Sequence, residues 1–335
     1  MSASIEFEHS VGHNSAFDSL CYHPNGEDFV YLTGWNVGIG NLNNPHSQEF
    51  LRKHDDATTC LALSPSGAMI ASGQKGDNAN IYVWHYETRR AIYSFEEHDS
   101  MIQHLAFSHD EKLLVSIGDD NDGKLIIWDM SNGCIVAACP KLPHGTTCVT
   151  FGGFVKDIKR RDTDRYQLCT GGHDGIVLWM LDPYSGDLTN MKLVGDARAT
   201  INRHITGLSF SDDYAYLYGA TTSGDFVIAS MKALKIVQSV SASKLGLGSI
   251  YGCNNQIITA GGDGYIKVFD SNLQQVNQTQ LDGAVISLSM SPDRLEMMAA
   301  TANGSMYRVN VETMSSLTIA ESHTAGITDI SISTK

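Results

Sequence analysis

The chain has 335 residues, of which 42% are hydrophobic, and carries 37 acidic against 23 basic side chains for a formal net charge of −14. A chain this long buries a large core, and its acidic balance argues against general electrostatic binding of nucleic acid or of an anionic membrane. No stretch approaches the roughly 20 apolar residues of a membrane span, and the opening MSASIEFEHS has no basic region leading into an apolar run, so a cytosolic compartment is expected.

The first predicted element is a short strand in SIEFE (4–8), within an N-terminal segment 1–12 that precedes a set of repeats. From His13 onward one order recurs: a histidine, a short β-type run, a turn, a second run ending in a small residue, a Gly/Asp turn, then a third run closing on Trp or another apolar residue. His13 leads to SLCYHPNGEDFVYLTG and NVGIGNL; His54 leads to CLALSPSGAMIASG and NIYVW; His98 leads to HLAFSHDEKLLVSIG and KLIIWD. His144 leads to CVTFGG, YQLCTGG and IVLW, with FVKDIKRRDTDR inserted as one long loop between the first two strands. The His13 unit is a weaker copy, and three more follow, at ITGLSFSDDYAYLYG after His204, at SIYGCNNQIITAGGDGYIKVFD, and at VISLSMSPDRLEMMAATANGSMYRVN. The 310 residues from His13 to His323 divide into seven units of about 44, the length of a four-stranded propeller blade. The expected fold is therefore all-β, a seven-bladed WD40 β-propeller of four-stranded antiparallel blades over 13–322, with 323–335 starting a further blade.

In a blade of this type the leading histidine can reach an aspartate in the turn before the third strand, a Ser or Thr ending the second strand, and the Trp of the third. The sets expected are His54, Ser72, Asp77 and Trp84; His98, Ser116, Asp122 and Trp128; and His144, Thr170, Asp174 and Trp179. In the fourth blade's TGGHDGIVLW (170–179) the glycines serve turn conformations and Asp174 belongs to the network, while His173 faces solvent. A phosphate loop is not expected there, because GxxxxGK[ST] is missing and the glycines lead into a strand.

No catalytic set and no cofactor is expected. The SxxK string from Ser241 to Lys244 has no SDN or KTG companion, and Asp119, Asp120 and Asp122 read as a solvated hairpin turn. Seven cysteines, scattered without CxxC spacing, predict free thiols and neither a disulfide framework nor a metal centre.

Several runs resemble the cilia- and flagella-associated protein 52 family: IASGQ (70–74), SIGDDNDGKLIIWDM (116–130), TTSGDF (221–226), LDGAVISL (281–288), and YRVN (307–310) followed by SHTAGITDI. The likeness runs nearly end to end. It implies a non-enzymatic scaffold of the ciliary and flagellar axoneme, a protein of the doublet-microtubule lumen with tubulin and other axonemal proteins as partners, and a second propeller that this chain does not contain. A generic WD-repeat adaptor of a ubiquitin ligase or RNA–protein assembly is the alternative, and a propeller enzyme the third.

The insertion holds Lys156, Lys159, Arg160, Arg161 and Arg165 against three aspartates, and Lys159, Arg160, Arg161 and Arg165 make it the candidate partner-contact loop toward acidic tubulin. At the ends, 326–333 (GITDISIS) is expected as the inner strand of an eighth blade, and 4–8 as the strand completing the last blade of the second propeller.

Overall fold

The computed structural model of the chain describes residues 9–321 apart from 11, 15, 45, 158, 160 and 196–202. The strands expected at 4–8 and 326–333 lie outside the described residues.

Blade two shows the repeating unit. Thr58–Leu63, Met69–Gln74, Ile81–His85 and Arg90–Phe95 pair antiparallel in chain order. Successive strand residues point to opposite faces, so Ile81 and Val83 pack toward blade three while Tyr82 and Trp84 pack toward blade one. Both faces are apolar, and each must be covered by a neighbour. Seven such sheets form the ring, and blade five gains a short fifth strand where Val194–Gly195 pairs in parallel with its outer strand Lys235–Ser241. The first strands of neighbouring blades touch around the axis, whereas the outer strands are the most exposed.

The hydrophobic core is correspondingly divided. Each cluster straddles one interface: Phe95 stacks on Trp128 at 4.0 Å between blades two and three, and Phe226 meets Phe269 at 5.1 Å between blades five and six. The ring closes in the same way. Leu20, Tyr22 and Tyr31 of blade one pack on Met298, Ala300 and Met306 of blade seven, and the Tyr22 amide donates to Ser289 Oγ at 2.8 Å. Blade seven supplies its own outer strand, Ser316–Ala320.

Two recurrent devices join the blades. In blades two to seven the pairing of the first two strands skips one residue, namely Thr59, Gln103, Thr147, Thr206, Gly248 or Ile286. The bulge frees that side chain from the ladder. Where it is threonine its hydroxyl donates to the next blade's first strand: Thr59 to Ile102 O at 2.6 Å, Thr147 to Ile205 O at 2.8 Å, and Thr206 to Leu247 O at 2.8 Å. The second device lies in the turn after each first strand. Residues at one turn position have left-handed φ, +78° at Gly67, +62° at Glu111, +56° at Tyr214 and +61° at Arg294. Several reach a neighbouring turn: Glu111 Oε2 accepts from Ser66 Oγ at 2.8 Å, and Arg294 Nη1 donates to Asp212 Oδ2 and Asn254 Oδ1, each at 2.8 Å.

The expected loop in blade four is instead an extended hairpin, Thr146–Lys156 paired with Asp162–Gly172, in which Phe154 faces Tyr166 and Lys156 faces Asp162. Only 157–161 turns. Asp157 Oδ1 accepts from the amides of Lys159 at 2.8 Å and Arg161 at 2.9 Å, which closes the tip. The base is buttressed by blade three: Phe154 lies edge-on to His109 at 4.5 Å, and Tyr166 donates to Asp110 Oδ2 at 2.7 Å. With about five residues more per strand than its neighbours, the hairpin overhangs them by roughly 15 Å.

Gly73 marks how closely the blades approach, because a Cβ there would lie 2.6 Å from Ile102 Cβ and 2.8 Å from Cys60 Sγ. Gly73→Ala is expected to destabilise the ring by roughly 1–3 kcal/mol through overpacking. Urea unfolding of the two proteins measures it.

Candidate functional site

Blade three brings its four expected residues together. Trp128 Nε1 donates to Ser116 Oγ at 3.0 Å, Ser116 Oγ lies 2.8 Å from His98 Nε2, and His98 Nδ1 lies 2.7 Å from Asp122 Oδ2. With the carboxylate as acceptor, Nδ1 carries the proton and Nε2 accepts from the serine, so every donor points the same way. The histidine and aspartate side chains are 1% and 0% exposed. Burial pushes the Asp122 carboxyl up, but hydrogen bonds from His98 and the Asp99 amide more than reverse this and hold it below the usual carboxylate range. Gly118 makes room, since a Cβ would sit 1.9 Å from Asp122 Oδ2.

Hydroxyl, imidazole and carboxylate in this order activate the serine of many hydrolases. Here Ser116 is fully buried and its hydroxyl is engaged by both Trp128 and His98. A substrate carbonyl has no approach to it, and the set fastens the blade. Among the described residues no group of three or more His, Cys, Asp or Glu is placed to hold a metal ion. All seven cysteines are free thiols, and burial pushes those of Cys60 and Cys148 up to about 12.

Blade two departs at one position. Trp84 Nε1 donates to Ser72 Oγ at 2.9 Å and Ser72 Oγ lies 2.7 Å from His54 Nε2, yet His54 Nδ1 meets Gln74 Oε1 at 2.7 Å. Asp77, expected in that place, is exposed in the long turn. Gln74 ends the second strand and is already inside, and its amide passes the contact on to Asp55 Oδ1 at 2.5 Å. An amide in place of a carboxylate offers the imidazole no countercharge, and burial lowers the His54 pKa to about 4.

Blade four does not assemble its set. Trp179 Nε1 still donates to Thr170 Oγ1 at 2.9 Å, but His144 is 85% exposed and bound to Asp120 of blade three at 2.9 Å. Spacing explains this: His54 and His98 each precede the first strand by four residues, whereas His144 precedes Thr146 by two. The connecting backbone also fills the place an imidazole would take, since a Cβ on Gly172 would lie 2.1 Å from Gly145 O. Asp174 is exposed, because Gly172 pairs with Gly175 and leaves His173 and Asp174 as an outward two-residue turn.

Sequence reasoning missed two substitutes. In blade five Arg203 Nη1 lies 2.8 Å from Asp225 Oδ2, and Thr221 Oγ1 donates to Asp225 Oδ1 at 2.8 Å, so an arginine stands where a histidine was sought. In blade one Ser10 Oγ meets Thr33 Oγ1 at 2.6 Å and its amide donates to Gln48 Oε1 at 2.8 Å. A Ser or Thr closing the second strand of these weak copies was the available signal. At the axis Asp18 Oδ2 lies 2.5 Å from His104 Nε2, joining blades one and three.

The basic residues of the hairpin are partly neutralised. Arg161 pairs with Asp157 at 2.9 Å and Arg165 with Asp182 at 3.3 Å; Lys159 is exposed at the tip, and Arg160 lies outside the described residues.

Comparison with known proteins fits this architecture. Residues 61–153 match the family model of the anaphase-promoting complex subunit 4 WD40 domain. The chain is 28% identical over 289 residues to cilia- and flagella-associated protein 52 of Chlamydomonas reinhardtii, covering 84% of this chain and 45% of that protein. It is 27% identical over 340 residues to the Homo sapiens protein of the same name, covering 98% and 53%. A more distant similarity, 24% over 257 residues, joins it to WD repeat-containing protein 1 of Xenopus tropicalis, covering 74% and 39%. The chain thus spans about half the length of the curated relatives it matches first, and the resemblance to the cilia- and flagella-associated protein 52 family extends along nearly all of it.

Asp122→Ala is expected to cost about 1–3 kcal/mol in urea unfolding, because it strands a buried imidazole. Asp174→Ala should stay within about 0.5 kcal/mol, as exposed substitutions do. His54 gives a pH signature. Its folded pKa of about 4 lies below the ordinary imidazole value of 6.5, so the unfolded chain binds the extra proton between these pH values and stability falls as pH drops through that window. The loss attributable to this residue is on the order of 3 kcal/mol, and unfolding followed from pH 7 to pH 4 should show a correspondingly shallower decline in His54→Asn.

Proposed function

We propose that this chain is a non-catalytic WD-repeat scaffold of cilia and flagella, which binds axonemal proteins and docks on tubulin in doublet microtubules. The observation that carries this reading is the similarity to cilia- and flagella-associated protein 52 over 98% of the chain. The geometry supports a binding role: the histidine relays that resemble catalytic sets are buried and serve the fold, while the outer strands and the blade-four hairpin stand in solvent. The hairpin, with Lys159, Arg160, Arg161 and Arg165, is the proposed tubulin contact. Its charge pairs leave Lys159 as the principal described cation at the tip.

Tagged protein in flagellated cells should stay with doublet microtubules after detergent and moderate salt have removed the membrane and matrix. Recovery in the soluble fraction, with ubiquitin-ligase or RNA–protein subunits attached, would replace this reading with the adaptor one. Replacing Lys159, Arg160, Arg161 and Arg165 by Ser should weaken co-sedimentation with microtubules at low salt. Unchanged co-sedimentation removes the hairpin as the contact.

A further inference from the structure

Blades one and two enclose a groove of about 520 Å³ on the outer wall of the ring. Arg52 and Lys53 line it just beyond the outer strand of blade one, Gln48–Leu51; Arg89 and Arg90 line it where the outer strand of blade two, Arg90–Phe95, begins. Four cations thus face one cleft in a chain of net charge −14. Glu49 offsets part of this by pairing with Arg89 across the two blades at 2.5 Å. Lys53 and Arg90 are exposed and make no ion pair among the described residues. The floor is apolar, built from Leu51, Trp84 and Ala91. Charges of one sign on low-dielectric walls concentrate an anionic ligand.

The backbone beside this groove is an open edge. Arg90–Phe95 pairs on one side with Ile81–His85, and its other side takes no strand among the described residues. The corresponding edge of blade five is occupied, by Val194–Gly195 in parallel with Lys235–Ser241. The fold therefore accommodates an added extended segment at an outer strand. The pairing of Arg90–Phe95 with Ile81–His85 skips Ile92, which is 43% exposed, and Arg90 and Ser94 are exposed as well.

We infer that the groove between blades one and two docks an extended acidic peptide segment of a partner protein. Its carboxylates meet Lys53 and Arg90, an apolar residue covers Ile92, and its backbone pairs with the edge of Arg90–Phe95. The inference holds whichever assembly the propeller serves, so it stands or falls separately from the ciliary reading.

The test uses the purified chain and a fluorescent peptide of about ten alternating glutamate and valine residues, long enough to lie along one strand. Anisotropy at about 50 mM salt should show saturable binding that weakens as salt rises toward about 200 mM. Lys53→Glu with Arg90→Glu should weaken it at least tenfold, and the peptide with glutamine for glutamate should bind correspondingly less. Bound glutamate peptide should slow amide exchange in 90–95. Thermal melting checks that the exposed substitutions leave the fold intact, and Lys53→Gln with Arg90→Gln serves if the charge reversal does not. No binding by the wild type, equal binding by glutamate and glutamine peptides, unchanged binding by the folded variants, or protection confined to another blade would each overturn the inference.

Discussion

A four-stranded sheet that is apolar on both faces cannot be satisfied by one neighbour, and the whole molecule follows from that constraint. In water each such sheet needs a covering layer on either side. A linear stack would leave two apolar faces open at its ends, and a closed ring leaves none. Blade two shows the demand in single residues: Trp84 is committed to blade one, and Ile81 and Val83 to blade three. The core is therefore a set of interfaces, and the seam between blades seven and one is packed like the others.

Within that ring the polar networks answer a narrower problem, the burial of hydrogen-bonding groups inside each sheet. His98 with Asp122 is the fullest solution, and His54 with Gln74 repeats it without the charge. Blade five places the ion pair of Arg203 with Asp225 at that position, and blade four retains only the contact from Trp179 to Thr170. The shared element is a hydroxyl near the end of the second strand, on Ser72, Ser116, Thr170 or Thr221. The histidine is one way of supplying a donor, which is why its absence from weak copies does not unmake the blade.

The sequence showed the ring plainly because the repeat writes itself in strand-length apolar runs and small turn residues, signals that act locally. It showed the blade-three relay because the spacing from His98 to Ser116 and Trp128 is set by strand length. His144 misled because identity was counted where spacing decides: two residues before a strand do not reach the position that four do. Asp174 misled for a related reason, since a two-residue turn points its side chains outward. The hairpin was hidden because a charged run looks like a loop unless the alternation of Phe154, Tyr166 and their pairing partners is followed across the turn. The bulges at Thr59, Thr147 and Thr206 left no signal at all, because they depend on what the next blade's backbone offers.

The hairpin also gives the ring something that its blades do not. Seven similar blades repeat one backbone shape around the rim, so blade shape by itself distinguishes one rotational setting from another only weakly. The projecting arm on blade four, held at its base by His109 and Asp110, breaks that repetition. It marks one sector as different from the rest, and a lattice that engages it fixes the wheel's angle as well as its position.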